Sequence, residues 1–191
     1  MAFKHPHRYG ILAMVRKKDY KHFSKYQKLL KNHVQFFMKK EFFNDIAPQH
    51  LSICYFSYPE NYPKEYIEKL VPKIRSVIRN NLPLQVKVKG LIGWWELSIG
   101  VPALLWNITD LGNFPKLHKE VVKTLAPYIE HFNDPEMDFT PHIGVALCKK
   151  EKFKEIKKIV DHSKEDKEQV LIIDRFYIFY PNEPKEVFSH N

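Results

Sequence analysis

A chain of 191 residues fits one domain, or two small lobes sharing a core. Hydrophobic residues at 44% and charged residues at 28% exclude broad disorder. Thirty-one basic against 22 acidic residues give a net charge of +9, which favours polyanionic partners such as RNA, nucleotides or an anionic membrane, and equally fits a solvated lysine-rich surface.

Tyr9 to Val15 is a short apolar run suited to a buried strand. Asp19 is placed to cap a helix whose apolar stripe is Phe23, Tyr26, Leu30, Val34 and Phe37. After the break at Pro48, His50 to Phe56 reads as a strand. Ile67, Leu70, Ile74, Val77 and Ile78 mark a second helix, which Pro72 either kinks or starts. Leu84, Val86 and Val88 alternate with Gln85, Lys87 and Lys89 as a half-buried strand running on toward Leu91. Trp94 to Gly100 reads as a loop or irregular strand, and Pro102 to Ile108 as an apolar strand. A helix starts at Asn113 or Phe114, with Pro115 in its first turn and a stripe of Leu117, Val121, Leu125 and Tyr128. Phe139 to Leu147 is a strand, and Phe153, Ile156 and Val160 mark a shorter helix. Val170 to Tyr180 is the last strand, with a break expected near Asp174.

Each half thus reads strand, helix, strand, helix, strand, in one domain with lobes at roughly 9–91 and 101–180. The middle strand of each half carries a histidine, in His50-Leu51-Ser52-Ile53 and in His142-Ile143-Gly144-Val145. Equivalent positions in a duplicated fold can face one another across a pseudo-two-fold axis. Strand alternation puts His50, Ser52 and Cys54 on one face, with Leu51, Ile53 and Tyr55 toward the core. By the same rule Thr140, His142, Gly144 and Ala146 share a face. Two imidazoles beside one phosphate can cleave a phosphodiester without metal, one taking a proton from the nucleophile and the other protonating the leaving oxygen. A hydroxyl such as Ser52 can donate to a non-bridging oxygen.

These stretches resemble the signature of the 2H phosphoesterases, also called LigT-like or 2′-5′ RNA ligase-like proteins, whose mark is a pair of His-x-Thr/Ser motifs. The matching residues are Pro48-Gln49-His50-Leu51-Ser52-Ile53 and Phe139-Thr140-Pro141-His142-Ile143-Gly144-Val145-Ala146. The run Val101-Pro102-Ala103-Leu104-Leu105-Trp106 is similar to the apolar-Leu-Trp run before the family's second half. The resemblance implies an α+β fold, a bilobal duplicated βαβαβ arrangement with two antiparallel-type sheets around a central cleft. It implies no metal or cofactor, His50 and His142 as the acid–base pair, and Ser52 as a phosphate ligand. It further implies activity on 2′,3′-cyclic phosphates, 2′-5′ linkages, RNA 3′ ends or nucleotide second messengers such as 2′-5′ oligoadenylate or cyclic dinucleotides. Gly144 departs from the pattern, having no hydroxyl where the family has Thr or Ser; Thr140 or a backbone N–H would have to replace it.

The remaining features read more plainly. Trp94, Trp95, Trp106, Tyr177 and Tyr180 are aromatic groups able to stack on a base, with Trp94, Tyr177 and Tyr180 the leading candidates. His5, His7, His22 and His33 lack supporting carboxylates or thiols, so no metal site is expected. Lys87 and Lys89 are able to line a phosphate groove, though a solvated strand face explains them as well. Cys54 and Cys148 form no disulfide framework and read as buried thiols of a reducing compartment. No segment reads as a signal peptide or membrane span, so a cytoplasmic monomer is expected, with a nucleotide or RNA substrate and no membrane partner. Two alternatives stay open: an RNA- or nucleotide-binding module weakened in catalysis, and RNA 3′-end processing or ligation.

Overall fold

A computed structural model describes residues 8–31, 33–36, 49–57, 64–94, 103–129, 131–132, 141–148, 150–179 and 185–189. Among them are nine strands: β1 (Arg8–Val15), β2 (Val34–Phe36), β3 (His50–Ser57), β4 (Leu84–Trp94), β5 (Ala103–Asp110), β6 (His131–Phe132), β7 (Gly144–Cys148), β8 (Gln169–Phe179) and β9 (Lys185–Ser189). The α-helices are α1 (Ser24–Leu30), α2 (Lys64–Asn80), α3 (Phe114–Leu125) and α4 (Phe153–Ser163). Every strand pair is antiparallel.

The α+β architecture expected from the sequence is present, with one difference in its sheets. The hydrogen-bonded path is continuous, in the order β2-β7-β5-β4-β8-β1-β3-β6, with β9 also on β8. Strand β4 joins what would otherwise be two ladders. Leu84 to Val88 pair with β8, whereas Leu91 to Trp94 pair only with β5. Between them Gly90 adopts φ +68°. A Cβ there would lie 2.1 Å from the Ser163 carbonyl oxygen at the end of α4, so only glycine fits. The halves also exchange strands: β8 lies between β1 and β4, and β2 pairs with β7.

One face of the sheet is covered by helices. Leu70, Ile74 and Ile78 of α2, Leu117, Val121 and Leu125 of α3, and Ile156 and Val160 of α4 join the strand residues Ile11, Ala13, Val15, Leu51, Leu104, Trp106, Ile143 and Ile173 in a single core. Burial at roughly 25 cal/mol per Å² of apolar surface makes this the main source of stability. The helix-covered face fixes, by elimination, which side chains of each strand are left for the opposite face.

Several expectations are corrected. The stretch from Asp19 is a 3₁₀ helix over Lys17–Phe23 followed by α1, and Val34 belongs to β2. Pairing of Val34–Phe36 with β7 wins over the helical period. Asp19 is no N-cap: it is buried inside the 3₁₀ helix. Its carboxylate accepts from Arg16 Nη2 at 2.9 Å and from the Ile172 backbone N–H at 2.9 Å. Pro72 lies inside α2, on its exposed side, and does not start it. Strand β7 begins only at Gly144; Pro141 and His142 precede it, and residues 139–140 lie outside the described residues. The break expected near Asp174 is a bulge: Met14 pairs with Arg175 and Val15 with Ile173. Strands β6 and β9 are additional to those read from the sequence.

Candidate functional site: two histidine motifs at one antiparallel bridge

The first motif opens β3. Leu51 is fully buried in the core, while His50 and Ser52 are partly exposed on the other face. Simple alternation then fails. Leu12 of β1 pairs with Ser52 but Ile11 pairs with Cys54, so Ile53 is an extra residue, a β-bulge. Ile53 and Cys54 are both buried, at 1% and 2% exposure. Cys54 therefore turns into the core and Tyr55 turns onto the face of Ser52, the reverse of the sequence-based expectation. The Ser52 and Tyr55 hydroxyls lie 2.8 Å apart.

The second motif meets the first directly. Leu51 and Ile143 form an isolated antiparallel bridge, and both are fully buried. Antiparallel register carried one residue either way sets Ser52 opposite His142 and His50 opposite Gly144. All four lie on the face away from Leu51 and Ile143. Diagonal residues in such a pair have Cβ atoms roughly 7–8 Å apart, a gap that two imidazoles can close on one phosphate group.

Trp106 ties the motifs together from behind. Its backbone N–H donates to the Ile143 carbonyl at 3.0 Å. Its indole N–H donates to the side-chain oxygen of Gln49, next to His50, at 3.1 Å. Gln49 is itself buried, and its carbonyl accepts the Val15 N–H at 3.0 Å. The Trp106 ring packs edge-on against Phe23 and Tyr26, with centroids 5.7 and 6.2 Å away. At 2% exposure it cannot stack on a base. That earlier possibility is excluded for Trp106 by its place in the core.

On the site face two ladder rows run outward from the motifs. One row is Ser52, Leu12, Tyr177 and Glu186; the other is His50, Met14, Arg175 and Ser189. With strands about 4.8 Å apart, Tyr177 and Arg175 stand roughly 10 Å from Ser52 and His50. Tyr177 donates to Glu186 at 3.0 Å; burial, and then that carboxylate, raise its hydroxyl above the ordinary tyrosine value. Arg175 lies 3.4 Å from Asp174 and is one-fifth exposed. Beside it, Tyr20 is pushed up to about 12 by burial, against the lowering effects of Arg175 and of a hydrogen bond from the Gln49 backbone.

The structure therefore brings together His50, Ser52, His142 and Gly144, and puts Tyr177 on the same face. Thr140 and Tyr180 lie outside the described residues, as does the side chain of Trp94, although its backbone ends β4. Lys87 is engaged by Asp110 at 3.7 Å and Glu168 at 3.8 Å, a solvated strand face. Cys148 is buried, and desolvation pushes its thiol up to about 11. Among the described residues no three His, Cys, Asp or Glu side chains are placed to hold a metal ion. Tyr55 and Arg175 are site-face residues that the sequence reading missed. A two-residue period cannot foresee a bulge, and a lone arginine in an apolar strand carries no signal.

No protein-family model matches the chain, and no curated protein matches it in sequence. Solved structures do match it in fold. Usb1 of Kluyveromyces marxianus superposes with a TM-score of 0.51 at 9% identity, over 95% of this chain and 98% of that one. The same protein with uridine monophosphate gives 0.50 at 9% identity, over 96% and 99%. A phosphoesterase gives 0.51 at 10% identity, over 98% and 97%. At 9–10% identity the likeness is one of fold: this chain shares the fold of Usb1 and of that phosphoesterase over nearly its whole length.

Proposed function

We propose that this protein is a metal-independent phosphodiesterase for nucleotides or RNA, acting through His50 and His142. The observation that carries the reading is the Leu51–Ile143 bridge, which sets both histidines and Ser52 on one face of the sheet. No carboxylate cluster is needed for this chemistry, because imidazole serves as both base and acid near neutral pH. The basic surface, at a net +9, suits a polyanionic substrate. Usb1, alike in fold, has been solved with uridine monophosphate, which agrees with a nucleotide substrate.

The finer proposal is action at the ribose 2′ position, on a 2′-5′ linkage or a 2′,3′-cyclic phosphate. On a 2′-5′ linkage one histidine takes the proton of the adjacent 3′-hydroxyl as that oxygen attacks phosphorus. The second protonates the leaving 5′-oxygen, and a 2′,3′-cyclic phosphate remains. Ser52 donates to a non-bridging oxygen as charge develops there. Signalling nucleotides such as 2′-5′ oligoadenylate or a mixed-linkage cyclic dinucleotide fall within this class. The proposed setting is a soluble, cytoplasmic monomer. No helix among the described residues is long and apolar enough to cross a membrane.

Turnover in EDTA tests the reading, on 2′-5′ and 3′-5′ dinucleotides, a 2′,3′-cyclic nucleotide, a mixed-linkage cyclic dinucleotide and an RNA 3′ end. His50→Ala and His142→Ala should each abolish it, by about 10³-fold or more for loss of a general acid or base. Turnover that survives both substitutions refutes it. Gly144 favours a second reading, a binding module weakened in catalysis; tight binding of one panel member without turnover, unaffected by His50→Ala, would select it.

A further inference from the structure

Tyr55 has no counterpart in the pair of motifs, yet the fold takes unusual care to bring its hydroxyl to Ser52. Three features cooperate. The bulge at Ile53 rotates Tyr55 from the core face to the site face. The Ile53 carbonyl, within that bulge, lies 2.6 Å from Nδ1 of His118, a buried residue of α3. A carbonyl can only accept, so Nδ1 carries the proton and the bulge is pinned from the helix side. On β1, Gly10 pairs with Tyr55, and a Cβ on Gly10 would lie 2.7 and 2.8 Å from the Tyr55 ring. The ring therefore rests where a side chain would otherwise be, and its hydroxyl meets the Ser52 hydroxyl at 2.8 Å.

Resting on the phosphodiesterase reading, we infer that Tyr55 is a positioning residue of the site. It donates to Ser52 and thereby aims the Ser52 proton at the substrate phosphate. A phenol is a better donor than an aliphatic hydroxyl, so the proton between the two oxygens comes from Tyr55. Ser52 Oγ–H is then left to donate outward in one fixed direction, and a hydroxyl that accepts one bond becomes a stronger donor in the next. A serine without this partner samples three rotamers. The device bears on Gly144, which provides no hydroxyl opposite His50. With one side-chain hydroxyl fewer than the motif pattern supplies, the site gains from holding Ser52 rigidly.

The test is a double-mutant cycle of Tyr55→Phe and Ser52→Ala on the full chain. It reads kcat and KM on the best substrate, and separately the calorimetric affinity for a nucleoside 2′-monophosphate. Tyr55→Phe keeps the ring over Gly10 and should lower both kcat and phosphomonoester affinity about tenfold, the low end for a hydrogen bond to a charged group. In the Ser52→Ala background the same change should cost less than about twofold. Gly10→Ala, which displaces the ring from the other strand, should reproduce the Tyr55→Phe loss with Tyr55 intact.

Equal losses in both backgrounds would overturn the inference, because Tyr55 would then act independently of Ser52. Unchanged binding and kcat in Tyr55→Phe would overturn it as well, while leaving the phosphodiesterase reading standing. If the wild type turns over no panel member but binds the monophosphate, and Tyr55→Phe weakens that binding only when Ser52 is present, the inference holds and the catalytic reading falls.

Discussion

Replacing Trp106 by phenylalanine should loosen the fold and the site together. The change removes the indole N–H that donates to Gln49 at 3.1 Å, inside a residue only 1% exposed. Leaving that buried acceptor short of its donor costs about 1–3 kcal/mol. The smaller ring also abandons contacts with Phe23 and Tyr26, and the lost volume adds about 1–2 kcal/mol. The sum is about 3 kcal/mol, a large part of the roughly 5–15 kcal/mol typical of a domain. At about 2–4 °C per kcal/mol for a chain of this size, the melting temperature should fall by about 6–12 °C. Denaturant titration of Trp106→Phe, Gln49→Leu and the double variant would measure the link. The double variant should recover about 1–2 kcal/mol of the summed losses, since no orphaned partner remains. Additivity within about 0.5 kcal/mol would refute the claim that this hydrogen bond joins the two motifs.

Other outcomes follow from the same geometry. Asp19→Ala should destabilise the chain by about 3 kcal/mol, stranding the Ile172 N–H and Arg16, as read by denaturant midpoint. Gly90→Ala should cost about 3 kcal/mol, combining a φ of +68° with a Cβ 2.1 Å from the Ser163 carbonyl oxygen. Burial pushes the Tyr20 hydroxyl up to about 12 in the fold, from its ordinary value of 10 in the unfolded chain. Its stabilising contribution is therefore complete below pH 10 and declines toward pH 12, by on the order of 2 kcal/mol. Tyr20→Phe should flatten that decline in melts taken from pH 9 to 11.5. Gly144→Thr places a hydroxyl opposite His50 and should raise kcat or phosphomonoester affinity by up to about tenfold; a loss of both would mean that the site is shaped around glycine beside Leu105.

By itself the sequence determined the element types with the strongest periods. Strands β1, β3, β4 and β5, and helices α2, α3 and α4, lie where their apolar patterns place them, because each element must bury one face. It also singled out His50 and His142 as a pair, since two histidines in equivalent strands of a repeated pattern stand out against a background of ten. The tertiary structure decided what depends on pairing between distant segments. A helical period at Val34 gave way to a strand on β7, and Asp19 left the role of a cap for Arg16 and a backbone N–H on β8. The Ile53 bulge exchanged Cys54 and Tyr55 between faces, and β8 came to lie between β1 and β4, carrying Arg175 and Tyr177 onto the face of the histidines. The physical reason is common to all of these. Local propensities amount to tenths of a kcal/mol per residue, whereas register, bulges and buried hydrogen bonds are set by partners far along the chain and carry one to several.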